Sequence, residues 1–207
     1  MMNVNAIVRP VIALDIGGVV IPYLDDIIDG YIQRTIGIDK STFDTLWSRH
    51  APNLVTGRVS EFEFWRTLES ELGRPIPTAG ELFMKQYAPN LRINTELLEI
   101  LSSYKDRLDL VVFSNSIVPY SAYNRTMGIY DIFDRVFLSE EIGYMKPDPS
   151  FYDYTIRELD VKPDQIIFFD DRQANVDVAR DAGLQAHRYT SNKALLRRLP
   201  SLNPRGI

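Results

Sequence analysis

The chain contains no cysteine among its 207 residues and only two histidines. Disulfide cross-links, a thiol nucleophile and a thiolate metal site are therefore excluded. Neither His50 nor His187 stands at ligand spacing from a second metal-binding side chain, so a histidine metal centre is not indicated. No uninterrupted apolar run is long enough to span a bilayer, because Asp15 interrupts the run near the N-terminus.

Positive charge is also scarce. The formal net charge is −5 and no block of basic residues occurs, so a nucleic-acid partner is not expected. A hydrophobic content of 45% and a charged content of 25% are typical of a soluble globular chain. With neither a secretory signal nor a membrane segment, we expect a cytoplasmic protein with no membrane partner. The sequence carries no indication of the oligomeric state.

The apolar segment 11–14 predicts a short buried strand that delivers Asp15 into a turn made of Gly17 and Gly18. An ionised side chain inside an apolar run is costly to bury unless another group pairs with it. Taken alone, Asp15 is explained equally well as a residue that caps a turn. The rest of the chain decides between these interpretations.

Residues 22–91 are predicted to form a small all-helical domain inserted after the first strand, because strand-like runs give way to helical periodicity there. Ser41 is predicted to cap the second helix. Ser60 and Glu63 form a capping box before a helix that ends at Gly73, with Phe62, Trp65, Leu68 and Leu72 as its predicted apolar stripe. Thr78 and Glu81 repeat the capping-box pattern. The aromatic stripes of this region are predicted to pack in its core.

Residues 1–21 and 92–207 are predicted to form one α/β domain. From residue 94 onward, apolar strand-like segments alternate with helical ones, which is typical of crossover units in a parallel sheet covered on both faces. The predicted strands after the first lie at about residues 108–113, 135–138, 165–169 and 187–189. The fold class predicted is therefore α/β, a parallel sheet covered on both faces by helices, with a small all-helical insertion after the first strand.

Polar residues follow three of these strands: Asp15, then Ser114 and Asn115, then Asp170 and Asp171. Because the ends of parallel strands share one edge of a sheet, we expect these side chains to line one crevice. Carboxylates placed together repel one another unless a cation intervenes, and oxygen ligands without histidine or cysteine suit Mg²⁺.

Lys146, in the loop before a predicted helix, adds a compact positive charge that suits a phosphoryl group. A carboxylate beside such cations can act as a nucleophile and form an aspartyl-phosphate. Each of these residues has a simpler explanation by itself, as a turn, a cap or a solvated charge. Their joint occurrence in this order favours a phosphoryl-transfer site.

This set of residues, with Lys146-Pro147, the segment 168–171 and Asn175, resembles the haloacid dehalogenase superfamily, in its subfamily IA-like branch with a small helical cap. The resemblance covers nearly the whole chain. It implies a Rossmann-like three-layer core with a helical cap, and Mg²⁺-dependent hydrolysis of a small phosphorylated substrate. Asp15 would be the nucleophile, and Ser114, Asn115 and Lys146 would bind the phosphoryl group. The implied metal ligands are Asp15, the backbone carbonyl of Gly17, Asp171 and Asp170, with Asp170 more suited to orienting Lys146 or a metal-bound water.

The chain departs from the family at Gly17, where phosphatases normally carry the aspartate that protonates the leaving oxygen. Asp-Ile-Gly-Gly is similar to the Asp-Leu-Gly-Asn motif of one sugar-phosphate phosphatase subgroup. One interpretation is a phosphatase in which water or another group transfers the proton, favouring an anomeric sugar phosphate or an acyl phosphate. The alternatives are a protein that binds a phosphorylated ligand or a protein partner, and a metal-independent 2-haloacid dehalogenase. Phosphonate hydrolysis would need a cap lysine, and Lys40 and Lys85 stand in no recognisable context.

In capped members of the family the helical insertion supplies substrate contacts. The candidates in this chain are Tyr23, Arg49, His50, Arg58 and Trp65, although surface exposure or packing explains each of them more simply.

Overall fold

A computed structural model of the protein describes residues 9–76 and 79–199. Its centre is a five-stranded, all-parallel sheet with the order β3-β2-β1-β4-β5. The strands are β1 (Val11–Leu14), β2 (Asp109–Ser114), β3 (Arg135–Leu138), β4 (Ile166–Asp170) and β5 (Gln185–Arg188). The predicted α/β fold with a parallel sheet and an inserted helical cap is confirmed. The last strand begins two residues before the predicted start at residue 187.

The helices cover both faces of the sheet, and several of them are inserted in the chain between β1 and β2. In the described residues they are α1 (Asp25–Ile36), α2 (Lys40–Val55), α3 (Glu61–Leu72), α4 (Leu82–Asn90), α5 (Thr95–Ser102), α6 (Val118–Thr126), α7 (Ser139–Ile142), α8 (Pro149–Leu159), α9 (Gln173–Asp181) and α10 (Asn192–Leu196). Among those residues, no helix combines the length and the apolar character needed to cross a membrane.

Strand β1 is central because it pairs with β2 on one side and with β4 on the other. All four of its residues are buried, which explains why the sequence of this strand is continuously apolar. Ile12 and Leu14 face one core cluster, whereas Val11 and Ala13 face the other. This alternation produces a three-layer core, and it places the chain that leaves β1 at the middle of the sheet edge.

Helices α1 to α4 form the cap, whose interior is largely aromatic. Phe64, Trp65 and Phe83 pack against one another with ring centroids 5.0 to 6.0 Å apart. The same buried cluster continues onto one face of the sheet through residues such as Ile12 and Leu14. The division into domains at residues 21/22 and 91/92 stays a prediction.

Two details of the cap differ from expectation. The N-cap of helix α2 is Asp39, two residues before the predicted Ser41, and its carboxylate accepts a hydrogen bond from Thr42 N at 2.7 Å. Phe62 is 73% exposed, so its assignment to the apolar stripe of α3 was wrong. The buried face of α3 centres on Phe64 and Trp65, and a residue two positions from Phe64 points to the opposite side of a helix.

The other predicted helix-capping residues are confirmed at the ends of α3, which lie within the described residues. Ser60 and Glu63 form the predicted capping box, and Gly73 ends α3 in the left-handed conformation, which glycine adopts without a steric penalty. Thr78 lies outside the described residues. Helix α4 itself begins at Leu82, without a side-chain cap on Glu81.

Candidate active site

The predicted site residues converge at the carboxyl edge of the sheet. Asp15 follows β1, Ser114 ends β2 and Asp170 ends β4, and these three strands are adjacent. The backbone N–H of Asp15 donates to Phe169 O at 2.9 Å, which continues the β1–β4 ladder by one residue. One carboxylate oxygen from each of Asp15, Asp170 and Asp171 lies within 4.8 Å of the others.

Lys146 comes from the loop between α7 and α8 and is 1% exposed. Its ammonium lies 3.1 Å from Asp15 Oδ1 and 2.6 Å from Asp170 Oδ2. It also lies 5.3 Å from the centre of the Phe168 ring. A buried ammonium is tolerated only when it is paired, so the two carboxylates and the lysine stabilise one another.

Asp170 is fully buried and every one of its carboxylate contacts is internal. Oδ2 accepts from Lys146 Nζ at 2.6 Å and from Asn175 Nδ2 at 2.9 Å, while Oδ1 accepts from Arg172 N at 2.8 Å and from Asn175 Nδ2 at 3.0 Å. Tyr152 in turn donates to the backbone carbonyl of Asn175 at 2.8 Å. These contacts fix Asp170 as the anchor that holds the lysine in place.

Asn115 joins the end of β2 to the lysine loop. Its Nδ2 donates to Lys146 O at 2.7 Å, and its Oδ1 accepts from Lys146 N at 2.8 Å. Both ends of the amide are therefore occupied by the Lys146 backbone. That Asn115 contacts a phosphoryl group stays a prediction. Ser114 is 3% exposed, lines the same cavity and donates only a long, 3.3 Å hydrogen bond to Asn115 O.

Burial shapes the protonation of the cluster. It raises the pKa of the Asp15 carboxyl well above its ordinary value, against the opposing effect of the Lys146 ammonium, and the Asp170 carboxylate adds to the rise. Burial alone would lower the pKa of Lys146, but the neighbouring Asp15 and Asp170 carboxylates raise it above its ordinary value. The pKa of Asp171 is raised by burial and by Asp170. Three carboxylates and one ammonium therefore leave a surplus of negative charge that a cation would relieve.

The two glycines after Asp15 have different surroundings. Gly18 adopts φ +77°, and a Cβ added there would lie 2.4 Å from Asp171 Cγ. Only glycine fits that approach. At Gly17 an added Cβ would meet no heavy atom within 4 Å, and its φ is not in the left-handed region. The position that carries the proton donor in family phosphatases is therefore open space in this chain.

A cavity of about 240 Å³ lies over these residues, between the sheet edge and the cap. We call Asp15, Gly17, Ser114, Lys146 and Asp171 the floor of this cavity. The opposite side, which we call the wall, is built by α1, α2, α4 and α6. The wall residues are Ile28, Trp47, Val55, Phe83, Tyr87 and Tyr120.

Of the cap residues singled out in the sequence as candidate substrate contacts, Tyr23 lines the cavity. Trp65 is 1% exposed in the aromatic core of the cap. Arg49 and His50 both contact Glu71, at 2.9 and 2.8 Å, away from the cavity. Arg58 is exposed and does not line the cavity.

Sequence reasoning missed two features of the cavity. Arg172, directly after the aspartate pair, reaches Asp25 of α1 at 2.7 Å and lies 5.6 Å from the centre of the Tyr23 ring, which ties the cap to the sheet edge. Asp29, one turn further along α1, is a partly buried lining residue. Burial, reinforced by Asp25 and Asp26, raises its pKa from the ordinary 3.8 to about 7. The spacing of Asp25 and Asp29 on one helix face was the available signal.

The donor set fits a magnesium ion. Mg²⁺ binds oxygen ligands at about 2.0–2.1 Å, so the carboxylates of Asp15 and Asp171 are close enough to share one ion. The Asp171 carboxylate accepts no hydrogen bond from another described side chain, whereas the oxygens of Asp170 are all engaged. Asp15 and Asp171 therefore provide the more available oxygens.

Comparison with known proteins agrees with this geometry. The chain is 25% identical over 149 residues to a sesquiterpene phosphatase of Aspergillus oryzae, an alignment that covers 70% of this chain and 75% of that protein. It is 22% identical over 188 residues to a D-ribitol-5-phosphate phosphatase of Bacteroides thetaiotaomicron, covering 84% of this chain and 88% of that protein.

Solved structures show the same fold. A HAD family enzyme of Bacteroides thetaiotaomicron, crystallised as a magnesium complex, superposes with a TM-score of 0.76 at 19% identity, over 92% of this chain and 98% of that one. The family model of haloacid dehalogenase-like hydrolases matches residues 10–183. With the parallel sheet, the inserted cap and the aspartate–lysine cluster in place, the chain belongs to the haloacid dehalogenase-like hydrolase family.

Proposed function

We propose that this hydrolase is a Mg²⁺-dependent phosphomonoesterase that acts on a small phosphorylated metabolite through an aspartyl-phosphate at Asp15. The observation that carries the proposal is the position of the Asp15 carboxylate. It lies 3.1 Å from Lys146 Nζ, on the floor of a cavity, with the oxygens of Asp170 and Asp171 within 4.8 Å. The phosphatase relatives support the same reaction class.

In the first step, an Asp15 oxygen forms a bond to phosphorus while the bond from phosphorus to the ester oxygen breaks. Lys146 and Ser114 bind the equatorial phosphoryl oxygens, which carry the negative charge of the transition state. In the second step, water attacks the phosphorus of the aspartyl-phosphate, and inorganic phosphate leaves as the Asp15 carboxylate is restored.

Asp15, Asp171 and the Gly17 carbonyl would hold the metal ion. Mg²⁺ bound there neutralises the crowded carboxylates and the phosphoryl oxygens. Asp170 acts on the reaction through Lys146, which it positions, and Asn115 supports the same lysine through its backbone.

The glycine at residue 17 determines where the leaving oxygen obtains its proton. No side chain at residue 17 can donate a proton, so the proton for the departing oxygen comes from water in this proposal. Esters whose leaving oxygen is already stable as an anion, such as aryl, anomeric or acyl phosphates, are therefore hydrolysed faster than simple alkyl phosphates.

The test is hydrolysis of p-nitrophenyl phosphate in the presence of Mg²⁺. We expect turnover that is abolished by EDTA and restored by added Mg²⁺, and that falls by about 10³-fold or more in Asp15→Asn. Asp106→Asn, an exposed carboxyl that does not line the cavity, is the matched control and should keep full activity.

Turnover by Asp15→Asn at the wild-type rate would contradict the mechanism. If a broad panel of phosphate esters bound but none was hydrolysed, the chain would instead be a binding protein for a phosphorylated ligand. Halide release from a 2-haloacid without metal would select dehalogenase chemistry.

A further inference from the structure

The wall of the cavity is apolar and is fixed by ring packing. Tyr87 and Tyr120 stack with their ring centres 4.0 Å apart, and Trp47 meets Phe83 edge-on at 6.1 Å. Ile28 and Val55 complete the surface that faces the floor. Helix α6 adds one amide to the lining, Asn124, but Tyr87 and Tyr130 already occupy both of its ends. A leaving group held over Asp15 therefore meets mainly hydrocarbon and aromatic rings on this side, which cannot satisfy many hydroxyl groups.

The positively charged side chains that line the cavity are already paired with carboxylates of the protein. Among the described residues, the cations in its lining are Lys146 and Arg172. Lys146 is paired with Asp15 and Asp170 on the floor, and Arg172 is paired with Asp25 at 2.7 Å. No cation is left for a second anionic group on the substrate.

Asp29 also disfavours a second anionic group on the substrate. Its carboxyl lines the cavity, is partly buried, and has no hydrogen bond or ion pair to a described residue. Its charged neighbours are Asp25 and Asp26 on α1 and Lys40 and Asp44 on α2, so carboxylates outnumber the single lysine. Above pH 7, where the Asp29 carboxyl is ionised, an anionic leaving group would lie next to this acidic side of the cavity without a counter-charge.

The size of the cavity limits the substrate further. Its volume of about 240 Å³ lies below the range of about 300–1,000 Å³ typical of pockets for drug-sized ligands. Once a phosphoryl group occupies the floor, the remaining space admits one compact group, such as a single ring.

We propose that the substrate is the phosphate monoester of a compact, uncharged and largely apolar alcohol, and that the cavity rejects esters whose leaving group carries a second anion. This inference rests on the proposed function and adds the substrate class to it. Because residue 17 donates no proton, aryl esters are preferred to alkyl esters of the same size.

The experiment compares three aryl phosphates that differ at one ring position. We expect kcat/KM to be highest for 4-methylphenyl phosphate and at least about tenfold lower for 4-carboxyphenyl phosphate than for its uncharged match, 4-carbamoylphenyl phosphate. The carboxylate makes the phenolate a slightly poorer leaving group than the carbamoyl group does, an effect of about a few-fold at most, so a tenfold difference within this pair exceeds the leaving-group effect. Glucose 1-phosphate, a polar uncharged substrate, should also be slower than 4-methylphenyl phosphate.

Two variants connect the selectivity to named residues. Trp47→Ala should raise KM for 4-methylphenyl phosphate about tenfold while leaving competitive inhibition by inorganic phosphate unchanged, because phosphate occupies only the floor. Phe62→Ala, a cap aromatic that is 73% exposed and does not line the cavity, is the control. Asp29→Asn, which does not disturb the aromatic packing, should reduce the discrimination against 4-carboxyphenyl phosphate several-fold.

The outcomes separate the two proposals. If p-nitrophenyl phosphate and the three aryl esters are all left intact with Mg²⁺ present, the proposed function fails and the substrate class fails with it. If p-nitrophenyl phosphate is hydrolysed but 4-carboxyphenyl phosphate matches its amide counterpart, or glucose 1-phosphate surpasses 4-methylphenyl phosphate, only the substrate class is overturned.

Discussion

The floor and the wall of the cavity are built on opposite principles. The floor consists mainly of charged and polar groups, and ion pairs hold its centre, where Lys146 contacts both Asp15 and Asp170. The wall consists of rings and aliphatic groups held by packing, as Tyr87 is by Tyr120. In the proposed function, the reaction therefore depends on fixed charges, whereas the choice of substrate depends on the shape of the cavity and on the lack of an unpaired cation in its described lining.

The largest expected effect comes from removing the charge at the centre of the floor. Lys146→Met would leave Asp15 and Asp170 buried without their counter-ion, and breaking a buried pair in this way costs about 3–5 kcal/mol. We expect a fall in the free energy of unfolding of that size in urea denaturation, together with loss of phosphatase activity. Lys85→Met removes a surface lysine paired with Glu81 at 2.9 Å and should leave the free energy of unfolding nearly unchanged. Equal effects of the two variants would show that the floor does not depend on its ion pairs.

The next effect separates the two adjacent glycines. Gly18→Ala places a methyl group 2.4 Å from Asp171 Cγ and forces alanine to φ +77°, which costs about 1–2 kcal/mol before Asp171 has moved. Since Asp171 is a proposed metal ligand, the Mg²⁺ concentration for half-maximal activity should rise about tenfold or more. Gly17→Ala, which meets open space, is the control and should leave that concentration unchanged. A normal metal response in Gly18→Ala would argue against Asp171 as a ligand.

Restoring the missing acid tests the proton-transfer argument. The open space at Gly17 accepts a side chain, so Gly17→Asp should fold normally and raise kcat for alkyl phosphates about tenfold, towards the roughly 10²–10⁴-fold typical of general acid catalysis. For esters with good leaving groups, kcat should rise little. Gly17→Asn is the control, because asparagine has the size of aspartate but is not a general acid. A uniform gain for all leaving groups would contradict the role assigned to residue 17.

The smallest effect concerns the acidic side of the cavity and depends on pH. The pKa of Asp29 is raised from 3.8 to about 7, so the folded protein holds this proton more tightly than the unfolded chain. Stability is therefore greatest below pH 4 for this group and is lost as the pH rises through 7. Asp29→Asn should stabilise the protein by about 1 kcal/mol at pH 8, after allowance for solvent screening, and by little at pH 5. Thermal unfolding of Asp29→Asn at the two pH values measures this gain in stability, with Asp106→Asn as the control. An equal gain at both pH values would contradict a raised pKa of Asp29.

The floor was predictable because its signals are local and chemical. A buried apolar run ending in Asp15 and Gly17-Gly18, and a second ending in Asp170-Asp171, place carboxylates at strand ends by the rules of parallel sheets. The same residues carry the family resemblance. Lys146 was recognised as part of the site, but its burial between Asp15 and Asp170 is visible only in the fold.

The wall was predicted less well, for a physical reason. Trp47, Phe83 and Tyr87 stand at helical spacing whether they fill a core or line a cavity, and the periodicity of one helix cannot distinguish the two. Arg49 and His50, singled out in the cap, bind Glu71 instead. Phe62 was placed on the buried face of α3 and proved exposed, because the neighbours of that helix decide which of several apolar residues turn inward.

The sequence by itself determined the order of strands and helices, the helical insertion and the chemical groups available for the reaction, because short-range periodicity and strand-end chemistry are written in neighbouring residues. Only the tertiary structure decided that Asp170 is saturated by internal contacts, that Arg172 joins the cap through Asp25, and that an aromatic wall faces Asp15. Lys146 and Asp170 are 24 positions apart and Arg172 and Asp25 are 147 positions apart, so packing, not local preference, brings these partners together.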